Sequence, residues 1–274
     1  MLVHAHPDDE STATGATMAH YVADGAKVTL VTCTSGELGE VVTDDLAHLR
    51  GNPDALGEYR RGEIARALRE LGDIEHHWLG GPGRFRDSGM AGQDSNTAEG
   101  AFAAADDGEV LRVMVELLRA QRPQVVITYD EIGGYGHPDH IAAHRAVMNA
   151  VGPAADPAFA PELGAPWDVS KVYWWVLSRS FFEQVRPEDM ENFEEFTVRD
   201  EDITAALDGR KFHEAKLAAL RTYRSQVNLD DNEFFATMVQ NPAFAVETFV
   251  LARGERGPGS GPNNWESDLF AGLD

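Results

Sequence analysis

The sequence predicts an α/β fold, in which a doubly wound, mostly parallel sheet is joined to a smaller C-terminal portion. Short β-branched runs alternate along the chain with segments of helical periodicity. Such alternation is typical of right-handed βαβ units, which build a parallel sheet covered by helices. The composition agrees with a globular domain, because 43% of the 274 residues are hydrophobic and 25% are charged.

Each predicted element follows from its local pattern. The expected strands are 2–4, 27–33, 75–79, 124–129 and 171–176, and the expected helices are 14–24, 58–71, 109–121, one that begins at Pro138 and one near 210–223. Gly72 follows the second helix, where glycine commonly ends a helix. The first strand is unusually short, which indicates either an abbreviated central strand or a start codon upstream.

A change of composition predicts where the core ends. Residues 152–166 are rich in Pro, Ala and Gly, which is typical of a linker or a long surface loop. We therefore expect a metal-binding catalytic core over 1–168. The C-terminal portion, 169–274, is expected to pack on this core and to help form the substrate pocket.

Charge and cysteine content exclude several classes of protein. The chain has 46 Asp and Glu against 23 Lys and Arg, for a net charge of −23. Nucleic acid and anionic membrane surfaces are therefore not expected partners, since like charges repel. A single cysteine fits a reducing compartment, and no run of about 18 apolar residues is present. The sequence predicts a cytoplasmic protein and leaves its oligomeric state open.

The first polar cluster follows the first predicted strand directly. It supplies two imidazoles and three carboxylates, from His4, His6, Asp8, Asp9 and Glu10. In an open parallel sheet, ligands bind at the carboxyl ends of the strands, where this cluster lies. A purely structural interpretation is equally open on spacing alone, with Asp8 or Asp9 capping a helix and Glu10 in its first turn.

A second cluster favours the functional interpretation. His137, Asp139 and His140 follow the strand that ends at Tyr129, so they belong at the same edge of the sheet. The glycines within 133–136 allow tight turns and close approach to a ligand. Two sets of His and Asp at one crevice are typical of a catalytic metal site with three N/O ligands and a position open for water. Zinc suits such ligands, and iron, cobalt or manganese also accept them.

These motifs resemble a known family. The segments 6–10 (HPDDE) and 137–140 (HPDH) resemble the signature of the N-acetylglucosaminyl-phosphatidylinositol de-N-acetylase family, whose members are zinc enzymes on a Rossmann-like fold. Three longer segments, 32–37, 79–90 and 133–137, and the closing segment 265–273 are similar to one actinobacterial branch. That branch deacetylates N-acetylglucosaminyl-inositol, a neutral amino-sugar inositol, in mycothiol biosynthesis. The resemblance therefore implies a zinc-dependent deacetylase with this small molecule as substrate.

The resemblance implies roles for particular residues when it is carried over position by position. Zinc would be bound by His6, Asp9 and His140, and Asp8 would act as the general base. The general base would take a proton from the attacking water.

Five further residues acquire implied roles in the same way. Tyr135 and His137 would stabilise the oxyanion, with His137 protonated and oriented by Asp139. Arg60 and Asp87 would hold hydroxyl groups of the sugar and the inositol.

Several alternatives stay open at the level of sequence. The sister enzyme that hydrolyses the amide of mycothiol S-conjugates would share the metal site, and a non-catalytic sugar-binding protein would share the fold. His144 lies one helical turn after His140 and is expected to pack nearby, although a fourth ligand is possible. His4 is expected to give structural support. Either Asp8 or His137 would protonate the departing amine.

Overall fold

Seven strands form one sheet in the computed structural model, which describes residues 1–186, 190, 192–229, 233–260 and 263–273. The strands are β1 (Leu2–His4), β2 (Val28–Thr32), β3 (Ile74–Trp78), β4 (Val125–Tyr129), β5 (Lys171–Val176), β6 (Ala205–Asp208) and β7 (Val246–Arg253). Their order is β3-β2-β1-β4-β5-β7-β6. Strands β1 to β5 are parallel, and β7 is antiparallel to both β5 and β6. The predicted mostly parallel, doubly wound α/β fold is confirmed.

Helices cover both faces of this sheet. They are α1 (Asp9–Ala23), α2 (Pro53–Leu71), α3 (Asp107–Gln121), α4 (Gly133–Gly136), α5 (Pro138–Ala155), α6 (Arg179–Val185), α7 (His213–Arg221) and α8 (Glu233–Gln240). One buried cluster joins the sheet to α3 and α5, and a second joins its other face to α1, α2 and α7. A search of the described residues finds no helix with the length and hydropathy of a transmembrane span. The cytoplasmic location stays a prediction.

Three helices begin earlier than their apolar periodicity predicts. Helix α1 starts at Asp9 rather than at residue 14, because the polar cluster after β1 forms its first turn. Acidic residues in a first turn interact favourably with the helix dipole. Helix α2 starts at Pro53 after the capping side chain of Asn52, which accepts a hydrogen bond from the Ala55 N–H at 3.3 Å. Helix α3 starts at Asp107 after an Asp106 cap.

Helix α5 extends into the segment expected to be a loop. It begins at Pro138, as predicted, and continues to Ala155, so that the irregular segment starts four residues later than expected. The guanidinium of Arg119 orders this segment, because it donates hydrogen bonds to six backbone carbonyls within 153–164. The sheet continues beyond this segment through β5, β6 and β7. A boundary at residue 168 stays a prediction.

The order of the strands reverses between β1 and β4. The chain winds outward from β1 through β2 to β3, and then crosses to β4 and β5 on the other side. Such a switch point opens a crevice at the carboxyl ends of the two central strands. The two His/Asp clusters of the sequence follow β1 and β4, and therefore meet there.

A buried ion pair fixes the C-terminal segment to the sheet. The Nζ of Lys171 lies 2.7 Å from Oε1 of Glu266, and the hydroxyl of Tyr173 donates to Oε2 of Glu266 at 3.0 Å. Both charged side chains are almost completely buried, with 1% and 0% of their surface exposed. Loss of one partner would leave a buried charge without compensation.

We expect Glu266→Ala to lower the free energy of unfolding by about 3–5 kcal/mol, because the Lys171 ammonium would stay buried without its carboxylate. Denaturant unfolding measures the change. The matched control is Ser267→Ala at the exposed neighbouring position, for which a change within about 0.5 kcal/mol is expected. Equal effects of the two substitutions would contradict an energetic role for the pair.

Candidate active site

The crevice at the switch point contains a cavity of about 390 Å³. Its lining combines residues that follow β1, β2, β3 and β4, in loops and in helices α1, α2 and α4, with one residue from beyond 168. These residues are His6, Asp8, Asp9, Leu38, Gly39, Glu40, Arg60, Asp87, Gly89, Met90, Gln93, Tyr135, His137 and Gln226. Seven of the nine side chains predicted to be functional, including Arg60, line this cavity, and the other two, Asp139 and His140, lie buried beside it.

The three predicted metal ligands meet at one carboxylate oxygen. Oδ2 of Asp9 lies 3.3 Å from Nδ1 of His6 and 3.4 Å from Nε2 of His140. His6 comes from the loop after β1, Asp9 from the first turn of α1, and His140 from the first turn of α5. The structure therefore brings two imidazoles and a carboxylate from both clusters together.

His140 has the environment of a metal ligand. Its Nδ1 lies 3.2 Å from the carbonyl oxygen of Gly133, which assigns the ring proton to Nδ1. Its Nε2 is buried and forms no hydrogen bond, so its lone pair is left for a cation. Metal-bound histidines commonly donate their other N–H to a carbonyl in this way. Gly133 permits the contact, since its φ is +67° and a Cβ there would lie 2.7 Å from Cβ of His140.

Hydrogen bonds from the surrounding protein fix the Asp9 carboxylate. Its Oδ2 accepts the backbone N–H of His6 at 2.8 Å and the hydroxyl of Tyr129 at 2.8 Å. The Tyr129 oxygen in turn accepts the backbone N–H of Ala5 at 3.0 Å and lies 3.2 Å from Nδ1 of His4. His4 thus takes the supporting position expected of it, since its other ring nitrogen lies 2.8 Å from the Thr14 hydroxyl.

Other side chains offer additional donors at the same place. The ring nitrogens of His6, His137 and His140 lie within 4.8 Å of one another, as do donor atoms of His6, Asp87, His137 and Asp139. His6 belongs to both groups. A site built from imidazole and carboxylate donors that are already close together fits a divalent cation such as zinc.

The carboxylates and imidazoles of the site change one another's pKa values. Burial lowers the pKa of His6, but Asp87, Asp139 and Asp9 outweigh it and raise this pKa well above its usual range. Burial likewise raises the pKa of Asp9, and His140 and His6 outweigh it to lower this pKa well below its usual range. Opposite charges within a few ångströms favour the charged form of each partner. Asp9 is therefore an anion across the physiological range.

Asp8 occupies a strained position at the start of α1. Its φ is 111°, a conformation that costs a non-glycine residue about 1–3 kcal/mol, and its side chain caps no helix N–H. The carboxylate contacts Arg60 instead, with 3.0 Å between Oδ2 and Nη2. Burial raises the pKa of Asp8 to about 7 against the opposing effect of Arg60, with further contributions from Asp9 and Glu10. A carboxylate with such a pKa is suited to accept a proton near neutral pH.

The two predicted substrate-binding residues are engaged with the protein. Arg60 is 3% exposed, and its guanidinium donates to the carbonyls of Gly36 at 2.7 Å and Pro7 at 2.5 Å as well as to Asp8. Asp87 accepts backbone N–H groups of Leu38 and Gly89. Both residues line the cavity, but most of the hydrogen bonds of Arg60 go to Pro7 and Asp8, in the loop after β1.

Tyr135 and His137 lie on the β4 side of the cavity. Tyr135 is 56% exposed on a turn of glycines with positive φ. Burial, with His6 and His140, lowers the pKa of His137 to about 4, which favours the neutral ring over the protonated one expected from the sequence. Its Nδ1 accepts the backbone N–H of Asp139 at 3.1 Å, so the neutral ring carries its proton on Nε2.

The carboxylate of Asp139 points to another partner. Its Oδ2 lies 3.1 Å from Nε2 of His6, and it also accepts the Ser88 N–H at 2.8 Å and the Ser88 hydroxyl at 2.5 Å. Its contact with His137 is made through the backbone N–H alone among the contacts described. The predicted orientation of His137 by Asp139 thus rests on the main chain.

Sequence reasoning missed three supporting residues. Ser88 and Tyr129 hold Asp139 and Asp9, and Glu10 accepts the backbone N–H of Asp8 at 3.0 Å. The sequence places Glu10 in the first polar cluster but gives it no role in the reaction. Their polar side chains lie inside or next to the motifs, which is a signal in the sequence for a supporting role. The sequence does not show which residue each of them contacts.

The fold and the site define a class of protein. Imidazoles and carboxylates that converge at the carboxyl edge of a doubly wound sheet are typical of a metal-dependent hydrolase. A family model described as "PIG-L: GlcNAc-PI de-N-acetylase" matches residues 1–151, which include all nine predicted site residues. The chain belongs to the GlcNAc-PI de-N-acetylase (PIG-L) family.

Individual relatives extend this similarity over the whole chain. A protein of Saccharopolyspora erythraea named 1D-myo-inositol 2-acetamido-2-deoxy-alpha-D-glucopyranoside deacetylase 2 is 75% identical over 274 residues, which are 100% of both chains. A Streptomyces avermitilis deacetylase of the same substrate name is 48% identical over 292 aligned positions, covering 100% of this chain and 96% of that one. Among solved structures, the N,N'-diacetylchitobiose deacetylase of Pyrococcus horikoshii has the same fold. Its TM-score is 0.67 at 21% identity, over 91% of this chain and 82% of that chain.

We expect His140→Ala to abolish stoichiometric binding of a divalent cation, tested with zinc, because it removes the buried Nε2 that faces Asp9. His144→Ala is the matched control on the same helix, since Nδ1 of His144 lies 3.0 Å from the Tyr129 carbonyl oxygen. An indirect role of His144 predicts a smaller loss of zinc affinity, of about 10–100-fold. Metal analysis after dialysis against a zinc buffer measures both. Equal loss of zinc from the two variants would make His144 a ligand.

Proposed function

We propose that this enzyme is a zinc-dependent deacetylase of mycothiol biosynthesis. It hydrolyses the acetamide of N-acetylglucosaminyl-inositol (1D-myo-inositol 2-acetamido-2-deoxy-α-D-glucopyranoside) to acetate and the free amine. The relatives that align with the whole chain carry deacetylase names for this substrate, which supports the assignment.

One observation carries the chemical part of the proposal. A partly buried carboxylate, Asp8, lines the same cavity as His6 and Asp9, which belong to a preformed cluster of metal donors. A binding protein has no need of a strained base beside such a cluster. Hydrolysis of an amide needs that combination, because both the nucleophile and the carbonyl have to be activated.

The proposed roles follow from the chemistry of an acetamide. His6, Asp9 and His140 would hold zinc, which when bound would lower the pKa of water towards neutrality and polarise the carbonyl. Asp8 accepts the proton of the attacking water. Tyr135 lines the same cavity and donates its hydroxyl to the developing oxyanion.

The remaining predicted residues complete the proposed site. Neutral His137 donates Nε2–H to the oxyanion beside Tyr135, and Asp139 holds both His137 and His6. Asp87 accepts hydroxyl groups of the substrate at the cavity wall, where Arg60 also lies. A neutral substrate rich in hydroxyl groups suits a cavity lined by several carboxylates, since it brings no charge to be repelled.

We expect the purified protein to release amine from N-acetylglucosaminyl-inositol only after zinc is restored to the metal-stripped enzyme. Turnover of a mycothiol S-conjugate should be much slower under the same conditions. Fluorescence labelling of the released amine measures both rates. Turnover of the conjugate without turnover of the sugar would assign the protein to the amidase branch. Tight binding of the sugar without turnover in the presence of zinc would support a sugar-binding protein.

We expect Asp8→Ala to lower kcat by about 10²–10⁴-fold while bound zinc stays at the wild-type level, because the substitution removes the base and leaves the proposed ligands. Steady-state kinetics and metal analysis test both parts. Asp24→Asn is the control for the loss of a carboxylate, because Asp24 is an exposed residue directly after α1. This variant should retain the wild-type kcat. A near wild-type rate for Asp8→Ala would overturn the assignment of the base.

A further inference from the structure

Glu10 has a buried carboxylate to which the proposed reaction gives no role. Its side chain is completely buried in the first turn of α1, next to Asp9. Oε2 accepts the backbone N–H of Asp8 at 3.0 Å, and Oε1 accepts the hydroxyls of Ser11 and Tyr223, each at 2.5 Å. Both carboxylate oxygens are thus engaged, and one of them holds the main chain of the proposed base.

The peptide unit between Pro7 and Asp8 is held at both ends. Arg60 donates to its carbonyl oxygen, and Glu10 accepts from its N–H. Arg60 also donates to the Asp8 carboxylate. These contacts surround the residue whose φ of 111° departs from the ordinary conformations of aspartate. A strained conformation persists only where its surroundings determine it strongly.

Glu10 is itself anchored from a distant part of the chain. Tyr223 follows α7, is completely buried, and reaches Glu10 across 213 positions of sequence. The hydroxyl of Tyr223 therefore fixes the Glu10 carboxylate from the C-terminal region, while the hydroxyl of Ser11 fixes it from α1. Because the Glu10 carboxylate is held by two hydroxyl groups, it is suited to fix the position of the Asp8 N–H.

We propose that Glu10 is a positioning residue for the reaction, which holds the Asp8 main chain so that the Asp8 carboxylate faces the cavity. The inference rests on the proposed function in one respect, namely that Asp8 is the base. Without the Glu10 acceptor, the Asp8 N–H loses its partner and φ relaxes toward a negative value. The carboxylate then moves away from the position where it meets the attacking water.

Substitutions at Glu10 test this role by a split between kcat and KM. Glu10→Ala removes the carboxylate that accepts the Asp8 N–H. Glu10→Asp moves this carboxylate away from the N–H by one methylene, while it keeps the charge and most of the side-chain volume. We expect kcat to fall about 100-fold in Glu10→Ala and at least about tenfold in Glu10→Asp, as for a displaced catalytic group. KM and zinc content should stay within about twofold of the wild type, because the substrate and metal contacts are retained.

Glu10→Gln should restore most of the rate. Its amide oxygen can accept the Asp8 N–H, while the hydroxyls of Ser11 and Tyr223 can accept from the amide nitrogen instead of donating. The control is Glu247→Gln, since Glu247 is a buried carboxylate that accepts the N–H groups of Ala16 and Thr17 on the same helix without touching Asp8. It should lower the melting temperature and leave kcat unchanged.

Crystal structures of the wild type and Glu10→Asp give a readout that does not depend on activity. A positive φ at Asp8 in the wild type that becomes negative in the variant supports the inference, and an unchanged φ overturns it. The inference is also wrong if Glu10→Asp keeps the wild-type kcat, or if kcat falls only in proportion to the zinc content. It is equally wrong if Glu10→Gln loses as much kcat as Glu10→Ala. An inactive wild type would reject the proposed function, and the backbone of Asp8 would still decide the role of Glu10.

Discussion

The pairing of β1 with β4 is the constraint on which the site depends. These two strands are parallel neighbours, and β1 is so short that its register is fixed by Leu2 opposite Ile127 and by the amino group of Met1 on the Val125 carbonyl at 2.8 Å. The pairing puts the HPDDE and HPDH segments side by side at the point where the strand order reverses. Tyr129, at the end of β4, then joins the two halves by its hydrogen bond to Asp9.

A high density of ionisable groups follows from this arrangement. Asp8, Asp9, Asp87 and Asp139 lie around three imidazoles in a chain whose net charge is −23. Imidazoles stabilise the Asp9 carboxylate, backbone N–H groups stabilise the Asp87 carboxylate, and His6 together with Ser88 stabilises the Asp139 carboxylate. Asp8 receives the weakest compensation, since burial outweighs Arg60 and raises its pKa to about 7. This difference between two residues adjacent in sequence agrees with the proposed roles of Asp8 in proton transfer and of Asp9 in metal binding.

The region beyond residue 168 is integral to the sheet and reaches the site. Three strands of the sheet come from it, and Gln226 lines the cavity. Tyr223 contacts Glu10, and the Lys171–Glu266 ion pair fixes the C-terminal segment to the same sheet. Substitutions far along the chain can therefore change the geometry of a site whose conspicuous motifs all lie before residue 141.

The sequence by itself determined the fold class, the central strands and the edge at which the two motifs meet, because β-branched runs and the rule for parallel sheets are local information. The resemblance of the HPDDE and HPDH segments identified the family. Only the tertiary structure decided which atoms touch: Arg60 on Asp8, Asp139 on His6 through its carboxylate, and Glu10 on the Asp8 N–H. The strained φ of Asp8 and the lowered pKa of His137 also depend on burial and on neighbours from other elements. Asp139 and His6 are 133 positions apart, and Tyr223 and Glu10 are 213 positions apart, so periodicity along the chain carries no information about such contacts.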